Sequence, residues 1–212
     1  LGTSTTGNSL PTRITWSGSD NITPSTQVKF LLQERVNGGA WISVGTWSTA
    51  RAATRLLKSG STYQYRVQAR DLAGKLSAWA QQPAAFRATA YQEAPRTTAP
   101  TLAYSSGWST VARSGAYGGS GRTSATLNST ATFTFTGSNV AVVMPMRSDL
   151  GTVRICIDGT TNCNSIDVSP TTGLLARKMV FIRNGLSLST THKVVVKVTA
   201  GRADLDALVV LR

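Results

Sequence analysis

The chain holds one histidine, two cysteines and only nine acidic residues in 212, and each scarcity removes a class of chemistry. A lone imidazole, His192, with two cysteines does not make up a zinc site. It stands ahead of Val194, Val196 and Val198 on one strand face, which marks it as a strand-end residue packed against the core. Few carboxylates leave no evident pair for glycosidase work: Asp149 lies in a loop without a partner and Asp158 in a turn. There is no Gly-x-Ser-x-Gly elbow. The run Tyr117-Gly118-Gly119-Ser120-Gly121-Arg122 matches that pattern only in part, lacks the lysine spacing of a phosphate loop, and reads as a flexible loop. These absences lead to an expectation of no enzyme and no cofactor in this chain. No apolar run reaches the roughly 18 residues of a membrane span, and no signal-peptide pattern opens the sequence. The abrupt start at Leu1 reads as the inside of a linker, so a piece of a larger protein is expected.

What is present is Thr, Ser, Gly, Val and Ala in short alternating runs, with charged residues at 15%. β-branched residues punctuated by Gly and Ser favour strands, and no helical period of useful length interrupts them. The fold class expected is all-β. The net charge is +13, spread as ten basic and four acidic residues over 1–93 and twelve and five over the rest. Such a balance suits anionic polymers. However, 16 of the 22 basic residues are Arg, a bias that a GC-rich genome also produces.

The cysteines sit in Val153-Arg154-Ile155-Cys156-Ile157-Asp158-Gly159-Thr160-Thr161-Asn162-Cys163. A hairpin turning at Gly159-Thr160 sets Cys156 directly opposite Cys163. Val153, Ile155 and Ile157 then share the apolar face, and an outward cross-strand disulfide fits the register. That places the chain in an oxidising compartment, secreted or at the cell surface; two free thiols in a reducing compartment are the alternative.

Two modules are expected: 1–92, a linker at 93–101, and 102–212. In the first, Ile14-Thr15-Trp16, Val28 to Val36, Trp41 to Trp47, Tyr63 to Arg70 and Lys75 to Trp79 read as strands. Leu57-Lys58-Ser59-Gly60-Ser61-Thr62-Tyr63, Asp71-Leu72-Ala73-Gly74-Lys75-Leu76-Ser77-Ala78-Trp79 and Trp16 resemble the tyrosine corner, last turn and core tryptophan of bacterial fibronectin type III domains. The resemblance implies a backbone hydrogen bond from Tyr63 near Leu57. The Pro/Ala/Thr-rich stretch Glu93 to Pro100 suits a stiff connector. Beyond it, 131–135, 140–146, 153–157, 165–168, 175–182, 193–199 and 205–211 read as strands. Tyr104-Ser105-Ser106-Gly107-Trp108-Ser109, Ala131 to Ser138, Gly151 to Gly159 and Asp204 to Val210 resemble the galactose-binding-like jelly rolls of exported bacterial proteins. The architecture expected is two β-sandwich domains, fibronectin type III-like and then jelly roll.

Sugar recognition needs an aromatic face and a few polar groups. Tyr104, Trp108 and Tyr117 lie in Gly/Ser-rich segments, with Arg113, Arg147 and Asp149 as polar partners on loops; packing of Tyr104 and Trp108 across the sandwich edge is the alternative. Asp204 and Asp206, two apart on one strand face, suit either a structural Ca²⁺ or backbone N–H groups. A basic stripe of Lys29, Gln33, Arg35, Arg66 and Arg70 is visible, but without interleaved aromatics it argues against nucleic acid. The expected function is an accessory or adhesive segment that binds cell-wall or environmental carbohydrate. A structural stalk of a larger exported protein and anionic-polymer binding stand as alternatives.

Overall fold

A computed structural model of the chain describes residues 1–5, 7–169 and 173–212. It is all-β, as its alternating sequence predicts. The first half contributes β1 (Ser9–Thr15), β2 (Lys29–Val36), β3 (Ile42–Ser48), β4 (Ala52–Lys58), β5 (Thr62–Arg70), the two-residue β6 (Ala80–Gln81) and β7 (Phe86–Gln92). The second contributes β8 (Thr101–Tyr104), β9 (Ser109–Ala112), a 3₁₀ turn at Tyr117–Gly119, β10 (Ser120–Ser124), β11 (Thr130–Phe135), β12 (Asn139–Met146), β13 (Thr152–Ile157), β14 (Cys163–Asp167), β15 (Leu175–Asn184), β16 (His192–Ala200), β17 (Ala203–Leu205) and β18 (Ala207–Leu211).

Two strands explain how the halves join. The runs Val140–Met144 and Ala207–Leu211 are apolar at every position, and every residue in them is buried. A strand with one wet face alternates; one buried on both faces does not. Val140, Val142, Met144, Leu208 and Val210 enter a core with Phe133, Ile155, Val194 and Val196. Their neighbours Ala141, Val143, Ala207, Val209 and Leu211 face the other way, into a core with Leu10, Leu32, Leu57, Tyr63 and Tyr65. The strand order β15-β12-β18-β7-β5-β2-β3 therefore makes one sheet through both halves. Its seam is the ladder between β18 and β7, from Ala207 opposite Gln92 to Leu211 opposite Ala88. A second sheet, β14-β13-β16-β11-β8, closes the first core, while the pair β1-β4 brings Leu10 and Leu57 to the second. A short sheet β17-β10-β9 lies at one end.

Several local expectations are corrected. Lys75–Trp79 forms no strand; Leu76 makes a single bridge to Arg70, and pairing with β5 resumes only at β6. The run Tyr117–Arg122 is no flexible loop. Gly118 and Gly119 form the 3₁₀ turn and Gly121 lies in β10, buried against β17. A Cβ there would stand 3.2 Å from the Leu205 carbonyl. The connector around Pro100 is folded back on itself by two bonds between Arg96 and Leu102, 2.9 and 3.0 Å long. Two other expectations are met. Tyr63 accepts a 2.6 Å hydrogen bond from the Lys58 amide, next to Leu57. Cys156 is paired opposite Cys163 and disulfide-bonded to it.

Candidate functional site

One end of the second half gathers most of the singled-out polar residues. Arg113 follows β9, Arg147 follows β12, and Asp204 sits in β17. Together with Pro145, Leu174, Ala176, Arg177, Leu205 and Asp206 they line a cavity of about 270 Å³. That is just below the usual range for drug-sized ligands and suits one sugar ring.

The floor is an ion-pair cluster. Asp204 is 1% exposed; its Oδ2 lies 2.5 Å from Arg113 and 3.2 Å from Arg147. Asp149 braces the cluster from outside, holding Arg147 at 2.6 Å and Arg202 at 2.6 Å. Three guanidinium groups thus converge on one buried carboxylate, which offsets its desolvation. The cluster is incompletely satisfied, however. Among the described residues, Arg113 Nε, Arg202 Nε and Asp204 Oδ1 are buried without a hydrogen-bond partner. Arg202 Nε and Asp204 Oδ1 stand 3.8 Å apart, too far to bond directly. Each orphaned group of this kind costs about 1–3 kcal/mol.

The walls are fixed by two further contacts. Arg177 donates to the carbonyls of Gly115, Ala116 and Gly7 at 2.6, 2.9 and 3.2 Å, pinning the segment after Arg113. Asp206 accepts the Tyr117 amide at 2.7 Å. Burial pushes its carboxyl up to about 6, against the opposing pull of that amide and of Arg177. Asp204 and Asp206 thus occupy different environments, one ringed by guanidiniums and the other buried on a backbone amide.

The remaining sequence candidates fall elsewhere. Trp108 is buried and tilted against Tyr104, ring centres 5.4 Å apart. The Tyr104 hydroxyl donates to the Glu93 carbonyl, and Arg122 covers its ring at 4.6 Å. Burial raises the Tyr104 phenol above its ordinary range. Both aromatics are therefore corrected from ligand contacts to packing residues at the sandwich edge. Tyr117 packs toward the second core and lines a different groove, with Tyr91, Gln92 and Arg96. Of the two readings for the aspartate pair, Asp206 follows the backbone N–H one, whereas Asp204 is met by guanidinium groups. His192 is 6% exposed, held between Asp158 at 2.6 Å and the Ser187 carbonyl at 2.9 Å. Burial opposes its charge, but the Asp158 carboxylate and Ser187 carbonyl outweigh this and raise its pKa. Sequence reasoning missed Arg202 and Arg177. Arg202 had a legible signal, alternating with Asp204 along one strand face, whereas Arg177 acts through a left-handed backbone, φ 54°, that nothing in its neighbourhood announces.

No family model and no curated protein matches this chain. Among solved structures it is similar to a two-domain esterase active on acetylated mannans, at 17% identity and TM-score 0.45, over 59% of this chain and 36% of that one. It is also similar to an exo-β-1,3-galactanase from Phanerochaete chrysosporium, at 14% identity and TM-score 0.40, over 81% and 50%. A third is the catalytic domain of an α-1,3-glucanase in complex with nigerose, at 17% identity and TM-score 0.33, over 58% and 28%. The chain spans half or less of the length of each. All three are carbohydrate-active enzymes, and the expectation, drawn from what the sequence lacks, that the chain is no enzyme is not carried further.

Proposed function

We propose that the chain recognises carbohydrate, with the cavity between Arg113, Arg147 and Asp204 taking one sugar unit. The observation that carries this is the polar lining of that cavity, where the partly exposed guanidinium groups of Arg113 and Arg147 are held in place by the buried Asp204 carboxylate. Hydroxyls of a pyranose accept from these guanidinium N–H groups, and charge-assisted bonds of this kind are about twice as strong as neutral ones. The exposed Leu174 and Ala176 offer apolar wall to the ring's C–H face. The disulfide and the carbohydrate setting suit a secreted or surface-attached protein.

The test is a glycan and cell-wall polymer array, followed by titration of any hit against Arg113→Lys and Arg147→Gln. Arg113→Lys keeps a cation against Asp204 and removes the planar guanidinium donors, so binding should weaken roughly tenfold, about 1.4 kcal/mol, with little change in melting temperature. A hit unaffected by both substitutions would place recognition outside this cavity.

A second reading rests on Asp206. It lines the same cavity with its carboxyl raised to about 6, the range in which a general acid works. Product release from the bound glycan, abolished by Asp206→Asn while binding persists, would establish it.

A further inference from the structure

The first half carries a second feature that the cavity does not use. On the outer face of β2 and β5, the register sets Lys29 opposite Arg70, Gln33 opposite Arg66 and Arg35 opposite Gln64. Sequence alone gave this stripe no aromatic partners. The fold supplies three, from β3, its approach and the segment before β6. The Arg66 guanidinium lies 4.5 Å from the Trp41 ring centre and 4.4 Å from that of Trp79. Arg35 lies 4.8 Å from Trp41, and Arg70 4.7 Å from Trp47. Four cations share the face with no carboxylate among its described residues, because Glu34 points inward to Arg55 and the Tyr65 hydroxyl.

Like charges gathered without counter-charge repel one another, and stacking on indole offsets only part of that cost. What stacking does add is order. A guanidinium lying on a ring keeps its in-plane N–H groups free for bidentate bonds to an oxyanion while losing rotamer freedom in advance. Arg66 is held further by Gln33 at 2.8 Å, and Arg35 by Gln64. From Lys29 to Arg35 the stripe runs roughly 20 Å at about 3.3 Å per residue, the reach of a polymer rather than of one sugar.

We infer that this face binds an acidic polysaccharide through its carboxylate groups. Nucleic acid fits less well, because stacking bases requires bare aromatic faces and these indoles are already covered by arginine. The surface is independent of the cavity in the second half, so either can fail alone.

The experiment immobilises polygalacturonate, neutral galactan and a single-stranded oligodeoxynucleotide, and measures binding of the intact chain from about 50 to about 200 mM salt. The expected result is binding to polygalacturonate that falls roughly fiftyfold over that range, as about four neutralised contacts with a slope of about 0.7 each imply, with none to the galactan that depends on this face. The double substitution Arg35→Gln and Arg70→Gln should weaken it about tenfold at low salt with the fold retained by circular dichroism. Should the double variant misfold, Lys29→Gln, at an exposed position opposite Arg70, should lower affinity severalfold and flatten the salt slope. Absence of binding at low salt, indifference to these substitutions, or tighter binding of the oligonucleotide than of polygalacturonate would each overturn the inference.

Discussion

At the scale of single residues, the site is governed by what burial does to charge. Asp206 is 2% exposed and keeps its proton up to about pH 6, against an ordinary 3.8. Between those values the folded state holds more protons than the unfolded one, so stability falls as pH rises through that window. The difference is on the order of 3 kcal/mol when fully developed. Asparagine keeps an oxygen to accept the Tyr117 amide and has nothing to ionise. Asp206→Asn should therefore melt at a higher temperature than the parent near neutral pH and show a flatter profile between about pH 4 and 6. Thermal melts across that range check this, and a variant that runs parallel to the parent would show that the carboxyl ionises normally. His192 has the same sign by the opposite chemistry. Its pKa is raised by Asp158, so the stability it contributes is complete below its unfolded pKa near 6.5 and is lost as pH rises through the folded one.

At the scale of strands, periodicity decides both what the sequence discloses and what it withholds. Leu208 faces the first core and Val209, its neighbour, faces the second. Leu208→Ala and Val209→Ala should each cost about 2–4 kcal/mol in denaturant unfolding, although adjacent strand positions normally differ in cost. Thr132→Ala, on the outward face of β11, should cost less than about 0.5 kcal/mol. A cheap substitution at either Leu208 or Val209 would mean that one face of β18 is wet. The strands with clean alternation, such as Thr130–Phe135 and His192–Ala200, were legible because one face is wet and the other dry. β9 and β10 were not, since Ser109–Ala112 and Ser120–Ser124 are small and polar and take their strand form from pairing with each other and with β17. The Cys156–Cys163 register was legible because a tight turn fixes every opposite pair beyond it. Arg113, Arg147 and Asp149 were readable as loop polar groups, but the Trp108 and Tyr104 contacts were misassigned: Gly/Ser-rich surroundings suggested exposure, and long-range packing overrode them. The indoles over Arg66 and Arg70 were invisible for the same reason, since they arrive from segments 13 to 25 positions away in the chain.

At the scale of the whole molecule, the consequence of the shared sheet is mechanical and thermodynamic coupling. A connector between independent sandwiches lets each keep its own core and unfold on its own. Here the second core draws Leu10, Leu57 and Tyr63 from one half and Val143, Val209 and Leu211 from the other, while β7 pairs with β18 along five residues. Neither half can open without exposing those side chains and an unpaired edge strand, a template for aggregation. Unfolding in urea should therefore be a single transition. Tryptophan fluorescence, dominated by Trp16, Trp41, Trp47 and Trp79 in the first half, should share its midpoint with amide exchange of β13 and β16 in the second, as two-state behaviour requires. Residues 1–92 produced alone should be poorly soluble, because β7 would lose its partner and the second core its far wall. Two separated midpoints, or a stable and soluble fragment, would show that the halves are only laid against each other. In that event the arginine–tryptophan face and the cavity would sit on bodies free to move apart. With a single transition they are fixed relative to one another, so a polymer held on the first half could present a sugar to the cavity only along the path that one rigid sheet allows.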